Sequence, residues 1–163
     1  MRARNFEQLQ RAAARVLREV PGSALAQDSP GRETDIAIDH SEFSRLDEAQ
    51  IAQAVAVMQA EGLHATVSSI HINGWIGTHD KWQGACWIVR ELLDRDLAQE
   101  LDRWVFVGDS GNDQAMFEHF THSVGVANIA RFVPQLPPLP RYVPQGERGA
   151  GFAEVARAIL QSR

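Results

Sequence analysis

Trp104-Val105-Phe106-Val107-Gly108-Asp109-Ser110-Gly111-Asn112-Asp113 is the stretch on which the fold turns. Its first four residues are apolar without alternation, the pattern of a strand covered on both faces in a parallel sheet. A polar turn flanked by glycines follows at once. Ala115, Met116 and Phe117 then open a helix. Strand, tight loop and helix are the repeating unit of α/β proteins, whose ligands sit beyond the carboxyl ends of the strands. Asp109 and Asp113 stand at such an end, four residues apart. Hard oxygen ligands there, with a helix start behind them, suit Mg²⁺ and a phosphate.

On the C-terminal side, Ser123 to Ala127 reads as another short buried strand. Residues 134–144 hold five prolines and read as loop. Tyr142-Val143 reads as a last short strand, and Gly149-Ala150-Gly151 opens a final helix carrying Val155, Ile159 and Leu160. On the N-terminal side, Trp82, Ala85, Val89, Leu92 and Leu93 give a helix extending toward Leu97. Residues 73–80 read as loop. Residues 64–72 are β-branched and half polar, a strand. Ile51, Val55 and Met58 mark a helix capped by Ser44 or Asp47 and stopped by Gly62. Thr34 to Asp39 alternates as a short strand, and Phe6, Leu9, Ala13, Val16, Leu17 and Val20 form an amphipathic helix ended by Pro21-Gly22. No internal repeat is visible. The expected fold class is α/β: part of a Rossmann-like parallel-sheet core over 74–163, and a smaller α+β layer over 1–73.

Length and charge narrow the function. The chain has 163 residues, with 16 basic against 21 acidic side chains and a net charge of −5. A general nucleic-acid or membrane-surface binder carries the opposite sign. Apolar runs stop at five residues, as in Ala54–Met58 and Ala85–Val89, whereas a membrane span needs roughly 20. The N-terminal Met-Arg-Ala-Arg-Asn leads into an amphipathic segment with no signal-peptide core. Cys86 is the single cysteine, so a reducing cytoplasm is the expected compartment. It lies on an apolar helix and reads as core. Lys81 is the only lysine among the 16 basic residues. A chain that otherwise uses arginine and keeps one compact ammonium marks that position for chemistry.

Val107 to Phe117, followed by Val124-Gly125-Val126-Ala127-Asn128, resembles the fourth motif and next strand of haloacid dehalogenase (HAD) superfamily phosphatases. The similarity is to the Cof-like, sucrose-phosphatase-like subfamily IIB. Lys81, at the start of a helix before that strand, is similar to the third-motif lysine. The resemblance covers residues 70–160 and is weak over 1–69, which look like the family's cap. It implies a Mg²⁺-dependent phosphatase of a phosphorylated sugar or similar small metabolite. Asp109 would be the direct metal ligand, and Asp113 would bind or orient the metal through its waters. Lys81 would bridge the phosphate and the catalytic carboxylate, with Ser110 and Asn112 bonding in the same shell. Phosphoryl transfer to a carboxylate brings two anions together, so it needs concentrated positive charge. His71 and Asn73, at a polar strand end leading toward Lys81, are candidates for a sugar hydroxyl.

The family's first motif, an Asp-x-Asp carrying the nucleophile, and its second, a Ser or Thr, have no counterpart here. Asp35 and Asp39 are four apart and flank a strand of the cap. The expectation is a chain inactive by itself, with an open sheet edge that a second copy would cover. The alternative is a non-catalytic dimeric module binding metal and phosphate. Gly108-Asp109-Ser110-Gly111 also matches the serine-nucleophile loop of chymotrypsin-like proteases, but that match ends at Asn112 and has no disulfide framework behind it.

Overall fold

The computed structural model describes residues 2–162, in two compact units that divide between Thr78 and His79. The first unit uses one plan twice, a helix followed by a hairpin. Helix α1 (Arg2–Glu19) precedes β1 (Ala24–Leu25) and β2 (Asp35–Asp39); helix α2 (Glu48–Ala60) precedes β3 (His64–Val67) and β4 (His71–Trp75). The sheet order is β1-β2-β4-β3, antiparallel throughout, so each hairpin places its second strand at the centre. β2 and β4 pair from Asp35↔Trp75 to Asp39↔His71. This is a structural repeat with no counterpart in the residues.

The core of this unit lies between helices and sheet. Leu9, Ala13, Val16 and Val20 of the α1 side meet Ile36, Ile38 and Ile72 of the sheet and Ala54, Val57 and Met58 of α2, all buried. Asp47 caps α2: its carboxylate accepts the Gln50 N–H at 2.8 Å while the Gln50 side chain accepts the Asp47 N–H at 2.9 Å, a reciprocal pair that satisfies two orphan donors. Asp39 closes β2. Its buried carboxylate accepts the backbone N–H groups of Ser41, Glu42, Phe43 and Ser44 at 2.8–3.1 Å. Burial would raise its pKa, but the four donors outweigh burial and hold it below the usual carboxylate value.

Three expectations need correction here. The strand expected over 64–72 is a hairpin, turned at Ser68-Ser69-Ile70. The loop expected over 73–80 begins with strand: Asn73, Gly74 and Trp75 belong to β4. Gly74 is not a break in the chain but a seat. A Cβ there would lie 2.8 Å from Met58 Sδ, so a strand glycine lets α2 approach the sheet. The first unit accordingly holds four strands where two were expected.

The second unit is a layered α/β half. Helix α3 (Lys81–Leu93) is capped by Asp80 and ends at Asp94 in the left-handed conformation; Leu97, expected inside the helix, starts a separate 3₁₀ turn. β5 (Val105–Gly108) and β6 (His122–Gly125) pair in parallel, with the six-residue α4 (Gln114–His119) between them. Tyr142 adds a single parallel bridge to Val124, where a strand over Tyr142-Val143 was expected. Helix α5 (Arg148–Gln161) closes the chain. Phe106 faces the cluster formed by α3 and α4, with Val89, Leu97, Met116 and Phe120 buried. Val105 and Val124 face α5. Helices therefore flank both faces of the parallel pair. Among the described residues, β6 is the only strand partner of β5, so its other edge is open. No helix among them is long and apolar enough to cross a membrane.

Candidate functional site

Gly108 ends β5, and the reason is local. A Cβ there would lie 2.6 Å from Asp113 Oδ2, so only glycine lets that carboxylate fold back under the loop. Gly111–Asp113 form a 3₁₀ turn running into α4. The turn brings Asp113 beneath its own chain, where it is buried. Its Oδ2 accepts the N–H of Asp109 at 2.9 Å and of Ser110 at 3.2 Å. Its Oδ1 accepts from Lys81 Nζ. A buried carboxylate needs such partners, because burying an unpaired charge is costly.

Lys81 arrives from the first turn of α3. Its ammonium also donates to Asn112 Oδ1 at 3.0 Å, and Ser110 Oγ donates to the same oxygen at 2.9 Å. Trp82 stacks on His119 with ring centroids 4.4 Å apart, which ties the start of α3 to the end of α4. Cys86 packs behind, half-buried, with burial pushing its thiol pKa up; it is an inert core residue.

Asp109 is held differently. Its Oδ2 accepts from Asn128 Nδ2 at 3.3 Å, and Asn128 Oδ1 accepts the Arg148 N–H at 2.9 Å. Among the described residues no side chain donates to Asp109 Oδ1. Lys81, Asp109, Asp113, Gly108, Arg148 and Phe152 line one cleft of about 420 Å³ at the carboxyl end of β5.

Five of the residues singled out from the sequence thus meet: Lys81, Asp109, Ser110, Asn112 and Asp113. His71 and Asn73 belong to the other unit, on β4. His71 Nε2 lies 2.9 Å from Glu42 Oε2, and Asn73 pairs in register with Ala37 and Thr66. Asn128 and Arg148 were missed. Asn128 stood in the quoted strand motif, so a signal existed. Arg148 had none, because its left-handed backbone (φ 50°) is invisible in a residue type that rarely adopts it.

The donor set fits part of a Mg²⁺ shell. Mg²⁺ is usually held by one or two carboxylates, its own waters and a phosphate. Asp109 has an open carboxylate oxygen, whereas both oxygens of Asp113 are already engaged. No group of three His, Cys, Asp or Glu side chains converges among the described residues.

Residues 89–136 match the family model of sucrose-6F-phosphate phosphohydrolase, a segment that contains the Asp109–Asp113 loop. No curated protein matches the chain. Among solved structures, the sucrose-phosphatase of Synechocystis, in complex with sucrose and phosphate, aligns over 96% of this chain and 64% of its own, at 17% identity and a TM-score of 0.64. A HAD/COF-like hydrolase from Plasmodium vivax aligns over 80% and 43%, at 20% identity and a TM-score of 0.60. A Thermoplasma acidophilum protein aligns over 96% and 61%, at 14% identity and a TM-score of 0.61. The chain therefore spans 43–64% of the length of these structures. The fold is that of HAD-like hydrolases, and the resemblance read from the sequence is borne out.

Proposed function

We propose that this chain carries the metal- and phosphate-holding half of a Mg²⁺-dependent phosphohydrolase acting on a phosphorylated sugar or similar small metabolite. One observation carries the reading. The only lysine of the chain is brought against Asp113 and Asn112, beside Asp109, in a cleft at the carboxyl end of a parallel strand. Asp113 fixes Lys81 and the N–H groups of the loop. Lys81 keeps its outer face toward solvent and would bind a phosphate oxygen. Asp109, steadied by Asn128, would ligate Mg²⁺, which when bound adds positive charge to the phosphate. Asn112 and Ser110 orient the ammonium.

The chemistry has two steps. A carboxylate oxygen attacks phosphorus and the ester P–O bond breaks, releasing the alcohol with a proton. Water then attacks the acyl phosphate, giving inorganic phosphate and the free carboxylate. Neither acid of the cleft suits the attack, since Asp113 is saturated and Asp109 is assigned to the metal. The nucleophile would come on a strand added at the open edge of β5, in a parallel sense that ends at the same cleft. The 163-residue chain alone is then expected to bind inorganic phosphate with Mg²⁺ and to turn over almost nothing.

Isothermal titration with Mg²⁺ and phosphate tests the site. Binding that Asp109→Asn removes is the expected result; no binding to the intact chain overturns the reading. Robust Mg²⁺-dependent turnover by the pure chain overturns the external nucleophile. A second reading, a non-catalytic dimeric module on the same scaffold, is favoured by the open β5 edge and by Trp87 and Leu92, which are 62% and 72% exposed on α3. The coding sequence upstream of Met1, read in frame, separates the two. An apolar strand ending in Asp-x-Asp supports the phosphatase, and immediate stop codons support the module.

A further inference from the structure

The cleft holds a second cation that these roles leave unused. Arg148 lines it, and among the described residues its guanidinium has no acidic partner, whereas Lys81 is tied to Asp113. Its backbone sits at φ 50°, a left-handed conformation that non-glycine residues rarely adopt. Its N–H is nevertheless fixed by Asn128, the residue that also holds Asp109. The strain is thus anchored to the metal-side carboxylate.

The first turn of α5 is locked from below as well. A Cβ on Gly151 would lie 2.2 Å from the carbonyl oxygen of Gly146, so the helix start rests directly on the preceding loop. One turn on from Arg148, Phe152 lines the same cleft and leaves 58% of its surface in solvent. An unpaired guanidinium and an open aromatic face therefore stand together on a rigid helix start. A guanidinium matches the planar, two-oxygen edge of a carboxylate or phosphate. Neutral sugar hydroxyls give it no such partner.

Building on the phosphohydrolase reading, we propose that Arg148 and Phe152 form a second subsite in this cleft. It would take the part of the substrate beyond the phosphate, and the substrate class is a phosphomonoester whose leaving alcohol carries a second anion. Phe152 would pack on the carbon skeleton, and Arg148 would pair with the anion.

Titration calorimetry in Mg²⁺ buffer with four probes tests this: inorganic phosphate, glucose 6-phosphate, 6-phosphogluconate and fructose 1,6-bisphosphate. The expected result is that 6-phosphogluconate, the bisphosphate or both bind about tenfold tighter than glucose 6-phosphate, a step of about 1.4 kcal/mol. The member of the pair that gains names the second anion as carboxylate or phosphate. Arg148→Gln should erase the gain and leave inorganic phosphate affinity in place. Arg148→Gly removes the guanidinium while relieving the backbone, so it carries the test if the glutamine variant misfolds. Phosphate binding with no preference among the three esters overturns the subsite and leaves the phosphohydrolase reading standing. So does an equal loss for all four probes in either variant. Failure of inorganic phosphate to bind the intact chain overturns both.

Discussion

The two units spend their apolar residues in opposite ways. Unit Met1–Thr78 closes a core between two helices and one face of a sheet, with Leu9, Val16, Ile38, Met58 and Ile72 almost without solvent contact. Unit His79–Arg163 buries a smaller cluster around Val89, Leu97, Met116 and Phe120. It leaves Trp87, Leu92, Leu93, Phe152 and Leu160 exposed on the helices that flank an open strand. An antiparallel sheet needs cover on one face only, so a short segment can complete it. A parallel sheet needs cover on both faces and partners on both edges of its inner strands. The candidate site sits in the unit with the open strand edge, and the other unit carries the polar strand ends.

The sharpest way to break this contrast is to cut the first core. Ile38→Ala should cost about 2–5 kcal/mol, the range for large-to-small core substitutions. Hydrogen exchange read by mass spectrometry should show faster exchange across residues 2–78 and little change beyond. Equal loosening of both units would mean that they unfold as one.

Asp39 gives a pH test of the same unit. Asp39→Ala should cost about 1–3 kcal/mol, because four backbone N–H groups lose a charged acceptor. The folded-state pKa lies below the unfolded value of about 3.9, so the ionised form favours folding. That contribution is complete above about pH 5 and is lost as pH falls through the lowered native value. Urea titrations between pH 3 and 7 should show this slope in the parent protein and a flatter one in Asp39→Asn. A parallel slope would remove Asp39 as its source.

In the second unit Gly108→Ala should act on the site before it acts on the fold. The added methyl meets the Asp113 carboxylate, and overpacking costs about 1–3 kcal/mol. Phosphate affinity in Mg²⁺ should fall by about tenfold or more while the far-ultraviolet circular dichroism stays native. Unchanged affinity would show that the loop yields without disturbing Asp113. The smallest expected effect is on the exposed helix face. Leu92→Ser should change stability by no more than about 0.5 kcal/mol. If the dimeric-module reading holds, sedimentation velocity should show a dimer that Leu92→Ser weakens; a monomeric parent protein overturns that reading.

Much of the site was legible because its chemistry is local. Asp109 to Asp113 lie in one loop, and Lys81 announced itself as the only lysine. The cap of α2 was legible only in part: Ser44 and Asp47 both offered themselves, and the structure selects Asp47 through its reciprocal pair with Gln50. The β3–β4 hairpin was not, because Ser68-Ser69-Ile70 interrupts a β-rich run without glycine, proline or asparagine to signal a turn. Asn128, on the 3₁₀ segment after β6, carried a signal in the quoted motif, whereas Arg148 reached the cleft from the start of the last helix through contacts that no spacing encodes.

The residues by themselves determined the α/β alternation of the second unit, the glycine at the strand end and the lysine and carboxylates of the candidate site. Each follows from periodicity, sterics or charge within a few positions. Only the tertiary structure decided the helix–hairpin repeat of the first unit and the seat of Met58 on Gly74. Those depend on which distant segments share a sheet, and long-range pairing is set by burial and backbone hydrogen bonding across the chain.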